Sequence, residues 1–398
     1  MKVLFILIDA CRSTYITKEN FPFIYDLISS GDYVKRVKPG PGFCERSEIF
    51  SGLECHKSGF FTAIGYLPEK SDYRRSWLPV SLASFLSIFS KKAAKKLFHY
   101  YTIFSCKKMK EYKIPYYSLR FFSLTEDGDA SSLFGNSNLL FDLLKINNLS
   151  YSLDGFTSLS DTRKTKRKEI GEFVLNSIKN GLDFIPAYIG LIDSMGHLYC
   201  DNKELMTKYL NKVDKMISDW YLLAVENGYN VVFLGDHGMI PVCQRVNIFS
   251  CLKQSGLKLH KDYEMFLDST FARFWFMKDC RDQIIEVLKT VSNYGKIVYP
   301  EEGLGFGLPL NLCGITGKPI YGELIWCAKP GVLISPDYFN DNTNIHGMHG
   351  YLDMSTEDAF GFFLSSGPNV SHRYRDEIKL SQVYYELCKL LLPNMPKH

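Results

Sequence analysis

No two cysteines stand at C-x-x-C spacing: the eleven in this 398-residue chain are scattered from Cys11 to Cys388. That excludes a paired-cysteine metal ribbon and argues against a compact disulfide framework, so the chain reads as a reduced, cytoplasmic protein. Long apolar runs are missing too. The longest, roughly residues 77–90, is too short to span a bilayer, which takes about 20 residues. The opening run Val3 to Ile8 ends in Asp9 without a small-residue cleavage site, which makes it a buried strand and not a signal peptide. There are no internal repeats, no low-complexity linkers and no nucleic-acid-binding motif, so no nucleic-acid partner is expected.

What is present is the composition of a globular enzyme-sized chain, with 46% hydrophobic residues and a net charge of +4. The charge is uneven. Between Lys91 and Arg120 stand nine basic residues against one acid, Glu111, interleaved with tyrosines and phenylalanines. This segment reads as a basic surface for anionic substrates or for the membrane surface, or simply as a solvated face. It belongs to a stretch, residues 60–135, that has no single period and is read as an insertion; residues 241–340 are read as a second one, forming a cap.

The remaining pattern is α/β. Val3 to Ile8, Ala187 to Ile192 and Val231 to Leu234 are continuous apolar runs, and between the last two lies a strongly periodic helix whose face includes Met206, Leu210, Val213, Ile217 and Trp220. Such runs predict a central, mostly parallel sheet sandwiched by helices, with ligands at the carboxyl ends of its strands. A short helix is predicted from about Glu45 to Phe50, after the loop Pro39-Gly40-Pro41-Gly42-Phe43.

Three of the apolar runs end on aspartate, and two bring histidine with them: Asp9, Asp193 with His197, and Asp236 with His237. His349 follows in Gly347-Met348-His349-Gly350. Any one of these alone is more often a helix cap or a satisfied polar group. Together they make a mixed nitrogen and oxygen donor set for two divalent metals, zinc ahead of manganese. Two such ions a few ångströms apart suit in-line displacement at phosphorus.

The order of Asp9, Ser51-Gly52 with Ser58-Gly59, Asp193-Ser-Met-Gly-His197, Gly-Asp236-His237-Gly-Met and Met-His349-Gly-Tyr resembles the alkaline phosphatase superfamily, and within it the type I phosphodiesterase and nucleotide pyrophosphatase branch. The resemblance implies one alkaline phosphatase-like catalytic domain over 1–398 with the two insertions as caps. It gives one metal to Asp193, His197 and His349, and the other to Asp9, Asp236, His237 and a nucleophile. His346 is weighed as a supporting partner. In the family that nucleophile is a Thr or Ser ten residues before the glycine matched to Gly52, a count that lands on Gly42, which has no side chain. Cys44 at the predicted helix start is the expected replacement, as nucleophile or metal-bridging thiolate, with Ser47 a poorer choice inside the helix. Arg46 is weighed as a phosphate contact or a surface ion pair. The implied activity is hydrolysis of a phosphodiester or pyrophosphate bond in a nucleotide, nucleotide sugar or lipid- or glycan-linked phosphate. The alternatives are a phosphotransferase using a sugar or lipid acceptor, a sulfatase-like enzyme, from whose Cys-x-Pro-x-Arg pattern Cys44-Glu45-Arg46-Ser47-Glu48 departs, and an inactive metal-binding relative.

Overall fold

The computed structural model describes residues 1–105, 113–125, 139–154, 167–339 and 344–393. A six-stranded sheet forms the centre, in the order Arg373–Lys379, Asp32–Lys38, Gly361–Ser366, Asn230–Gly235, Val3–Ile8, Phe184–Ile189. Five strands run the same way; Gly361–Ser366 is antiparallel to both its neighbours. The sheet is therefore mostly parallel with helices on both faces, as the apolar runs predict.

The first strand shows why its sequence has no polar alternation. Every residue from Val3 to Ile8 is buried, and the side chains divide between two cores. Leu4, Ile6 and Ile8 pack with Met206, Leu210, Val213 and Ile217 of the helix Lys203–Glu226. Val3, Phe5 and Leu7 pack with Ile49 and Phe50 of the helix Glu45–Ser51 and with Val383 and Leu387 of the helix Val383–Leu391. A strand covered on both faces must be apolar at every position. The edge strand Arg373–Lys379, by contrast, is mostly exposed and charged, which discourages pairing with other chains. The Lys203–Glu226 helix starts where the Asn202 side chain accepts from Leu205 N at 3.0 Å.

Asp193 does not end a strand, as the apolar run before it suggests. The strand before Asp193 ends at Ile189, and Asp193 lies in the first turn of the helix Leu191–Tyr199. The apolar run simply continues from strand into helix.

The residues between 64 and 124 and those between 240 and 348 share one core, in which Tyr66, Tyr73, Val80 and Phe98 meet Phe266, Trp275 and Trp326. Its frame is an antiparallel four-stranded sheet of Gly295–Val298, Leu324–Ala328, Phe271–Phe276 and Tyr263–Leu267. Arg273, wholly buried, ties the two segments together: Nε donates to Asp268 Oδ2 at 2.7 Å and a terminal nitrogen donates to Ile64 O at 2.9 Å. The first segment also carries a helical hairpin, Trp77–Phe89 and Lys91–Phe104, which the sequence reading leaves without a period. Lys107, Lys108, Lys110, Glu111 and Tyr112 of the basic stretch lie outside the described residues.

Candidate metal centre

The carboxyl ends of the central strands bring the predicted aspartates and histidines together. Asp9 directly follows the first strand, and the chain turns at once through Ala10, whose φ of 56° lies in the left-handed region that non-glycine residues rarely occupy. The turn lets Ala10 N–H donate to Asp236 Oδ1 at 3.2 Å. Asp236 and His237 follow the strand Asn230–Gly235. Asp193 and His197 are four residues apart on one helix and so share a face. His349 is brought in by Gly347–Met348, which pairs antiparallel with Ile240–Pro241 just beyond His237.

Two triads result. In one, Asp193 Oδ1 lies 3.2 Å from His197 Nε2 and 3.5 Å from His349 Nε2. In the other, His237 Nε2 lies 3.1 Å from Asp9 Oδ1 and 3.8 Å from Asp236 Oδ1. The triads touch through their imidazoles: the His237 and His349 rings stack with centroids 4.1 Å apart. His197 Nδ1 is 2.8 Å from Gly347 O and His237 Nδ1 is 2.9 Å from Gly238 O. With Nδ1–H donated to a carbonyl, each ring keeps its Nε2 lone pair for the centre, the usual arrangement of a ligating histidine.

The electrostatics describe a site short of positive charge. Burial pushes Asp236 up to about 8, with the His237 charge opposing and Asp9 and Glu45 adding to the rise. Burial would raise Asp9 as well, but His237, the Tyr188 hydroxyl that donates to Asp9 Oδ2, and Arg46 hold it below its ordinary value. Burial opposes a proton on His237 and on His197, yet carboxylates beside them win: chiefly Asp236 at His237, and Asp193 at His197. His349 goes the other way, pushed well down by burial and by the two neighbouring histidines, so it is a neutral imidazole. Asp193 Oδ1 and His349 Nδ1 are buried without a hydrogen-bond partner. Crowded carboxylates, a neutral imidazole and orphaned buried acceptors are what a bound cation would satisfy. The geometry gives three groups whose donor atoms lie within 4.8 Å of one another: Asp193, His197 and His349; Asp9, Asp236 and His237; and Glu45, His237 and His349.

Cys44 does not join them, which corrects the sequence expectation. It is the residue before the helix, but it is only 1% exposed and packs with Cys55, Phe60, Phe61 and Phe271. Its thiol lies 3.5 Å from Pro41 O, and the contact with Cys55, then burial, push it well above the ordinary thiol value. The group is a protonated structural thiol, the opposite of the activated thiolate that a helix start suggests. Ser47 is buried inside the helix with an unpartnered hydroxyl. His346 is at the surface, its Nδ1 2.9 Å from Asp201 Oδ2.

Two residues at the centre were not read from the sequence. Tyr188 holds Asp9 from the adjacent strand, and its ring carries the Arg46 guanidinium at 5.0 Å. Glu45 replaces Cys44 as the helix-start residue facing the histidines, with Oε1 4.0 Å from His349 Nδ1. Only the phase of the helix start distinguishes Glu45 from Cys44, and sequence spacing does not resolve that.

No curated protein matches the chain by sequence. Among solved structures, human ectonucleotide pyrophosphatase/phosphodiesterase 5 aligns over 100% of this chain and 97% of its own, with a TM-score of 0.68 at 14% identity. The murine protein covers the same shares with a TM-score of 0.67 at 13% identity. An inactive variant of the murine protein, solved in complex with AMP, also aligns over 100% and 97%, with a TM-score of 0.68 at 13% identity. At these identities the likeness establishes the fold. The family model for type I phosphodiesterase/nucleotide pyrophosphatase matches residues 128–352. With that match across more than half of its length, the chain belongs to the type I phosphodiesterase/nucleotide pyrophosphatase family of the alkaline phosphatase superfamily.

Proposed function

We propose that this protein is a two-metal hydrolase of phosphodiester or pyrophosphate bonds, acting on a nucleotide, nucleotide sugar or lipid- or glycan-linked phosphate. The observation that carries the reading is the pair of carboxylate and imidazole triads joined by the stacked rings of His237 and His349. Asp193, His197 and His349 would hold one ion and Asp9, Asp236 and His237 the other. Zinc suits the imidazole content, with manganese second. Bound there, the two cations would supply Lewis-acid stabilisation of charge on the attacking and leaving oxygens. The protein's own part is positional: Nδ1–H bonds from His197 and His237 to backbone carbonyls fix the rings, Tyr188 orients Asp9, and Arg46 adds positive charge at the Asp9 end, where the phosphate would lie.

The test compares bis-p-nitrophenyl phosphate, p-nitrophenyl phosphate and p-nitrophenyl sulfate as substrates of the zinc- or manganese-loaded protein. Diester hydrolysis that disappears, together with bound metal, in His197→Ala and Asp236→Ala supports the reading. Full activity in either variant sinks it. Product analysis with added sugar or lipid acceptors separates hydrolysis from transfer.

The helical hairpin bears on location. Among the described residues no helix is long and apolar enough to cross a membrane. The hairpin nevertheless exposes apolar side chains on the side away from its buried Val80, Ala83, Ala94 and Phe98, with Ile88 77% and Phe104 83% exposed. Residues 77–105 contain Lys91, Lys92, Lys95 and Lys96 and no acid. A cavity of about 890 Å³ beside the hairpin is lined by Lys91, Lys95 and Lys113. Apolar side chains next to a cluster of lysines suit the surface of an anionic bilayer, whereas a second copy would set lysine against lysine. The ten described cysteines are all free thiols, which supports a reducing compartment and the cytoplasmic face of such a membrane. Flotation with phosphatidylcholine vesicles, with and without phosphatidylglycerol, should show binding only to the anionic ones. Ile88→Glu and a Lys91→Glu/Lys95→Glu double variant should abolish it; binding indifferent to these changes refutes the docking.

A further inference from the structure

Among the described residues a carboxylate, neither an alcohol nor a thiol, stands beside one histidine of each triad: the Glu45 donor atom lies within 4.8 Å of donor atoms of His237 and His349, with Oε1 4.0 Å from His349 Nδ1 while Nε2 of that ring faces Asp193. Glu45 is the first residue of the helix Glu45–Ser51, and its side chain is 13% exposed. The hydroxyls and thiols nearby do not compete for the spot. Gly42 has none, Cys44 is packed against Cys55 and Pro41 O, and Ser47 is enclosed within the helix's buried face. Neither Cys44 nor Ser47 belongs to any of the donor groups found among the described residues.

We infer that Glu45 is a carboxylate ligand shared between the two metal sites, standing where a covalent nucleophile would attack, and that the ester is cleaved in a single displacement by water. This rests on the two-metal hydrolase reading above. In the displacement, a lone pair of the water oxygen forms the new bond to phosphorus. The bond from phosphorus to the leaving oxygen breaks, and its electron pair stays on that oxygen. The water proton is released to solvent. No bond from phosphorus to the protein forms at any stage, so the configuration at phosphorus inverts. A covalent intermediate would invert it twice and leave it unchanged.

Two readouts on the full chain decide the matter. The first is equilibrium dialysis against zinc with elemental analysis of wild type, Glu45→Gln, Cys44→Ala and His197→Ala. Cys44→Ala should keep two ions per chain at wild-type affinity, while Glu45→Gln should bind zinc at least about tenfold more weakly. The second is hydrolysis, in ¹⁸O-water, of a nucleoside p-nitrophenyl phosphorothioate of single configuration, which should give the inverted product with wild type and with Cys44→Ala. Wild-type zinc affinity in Glu45→Gln, net retention at phosphorus, or a phosphorylated Cys44 or Ser47 recovered after quenching would each overturn the inference. Failure of the underlying reading looks different, because His197→Ala would then bind zinc as well as wild type does.

Discussion

Gly347→Ala should disable the site while leaving the fold standing. A Cβ at Gly347 would lie 2.6 Å from Gly196 O, 2.7 Å from Cys200 Cβ and 2.7 Å from Met239 Cγ. Ordinary contacts begin near 3.4 Å, so the walls must retreat by about 0.7–0.8 Å. Met239 can move its side chain; Gly196 O and Cys200 Cβ are fixed to the backbone in or next to the helix that carries Asp193 and His197. The strain therefore separates that helix from the Gly347–Met348 strand leading to His349, and it disturbs the bond from His197 Nδ1 to Gly347 O. Overpacking of this kind costs about 1–3 kcal/mol. A displacement approaching 1 Å in a catalytic constellation costs roughly 100-fold in rate. The expected result is a 10- to 100-fold fall in kcat/KM on a nitrophenyl diester and weaker zinc binding, with far-UV circular dichroism unchanged. Gly305→Ala is the control, since nothing lies within 4 Å of the added Cβ. Activity of Gly347→Ala within twofold of the control would refute the claim that this close approach sets the geometry of the triad.

Glu48, 2% exposed, accepts from Gly40 N–H at 2.9 Å, and burial pushes its carboxyl up to about 8 despite that bond. Its folded value thus exceeds the unfolded one of about 4.3, so the native state holds the extra proton and stability falls as pH rises between those values, by at most about 5 kcal/mol. Urea unfolding at pH 5, 6.5 and 8 should show this slope flattened in Glu48→Gln; an unchanged slope would assign the pH dependence elsewhere. Zinc at 100 times its dissociation constant should stabilise the protein by about 2.7 kcal/mol, reversibly with a chelator, and an unshifted denaturation midpoint would contradict a site built in the folded state. Arg273→Met leaves Asp268, 1% exposed, without its cation and should cost about 3–5 kcal/mol by denaturant titration, most of it regained in Arg273→Met/Asp268→Asn. A loss below 1 kcal/mol would mean that the buried pair does not brace the core around the four-stranded sheet.

The parts of the fold that were legible in the sequence are those where one physical demand acts alone. Val3–Ile8 and Asn230–Gly235 are buried on both faces and read as continuous apolar runs; Lys203–Glu226 buries a single stripe and reads as a helix. Asp9, Asp236 and His237 stand out in the sequence because they sit just beyond such strands. Asp193 reads as a strand end because the apolar residues run on from Ile189 into Leu191 and Ile192, where composition cannot tell a strand from a buried first helical turn. The first helix of the hairpin, Trp77–Phe89, escapes notice because it is apolar on its buried and exposed sides alike, which erases the period. Glu45 escaped because Cys44 and Glu45 differ only in which way the first residues of a seven-residue helix point.

The position of the first strand has a consequence for how the chain must be made. Among the described residues, Val3–Ile8 pairs as a strand with Phe184–Ile189 and Asn230–Gly235 and with no segment nearer in sequence. At about 5–20 residues per second, a ribosome needs roughly 10–35 s after finishing this strand to reach its first partner. Throughout that interval six consecutive apolar residues with unpaired backbone on both sides are exposed. Nascent chains should accordingly depend on a holding chaperone early in synthesis, and the aspartate that ends the strand meets the other site residues only once the last of the sheet has closed around it.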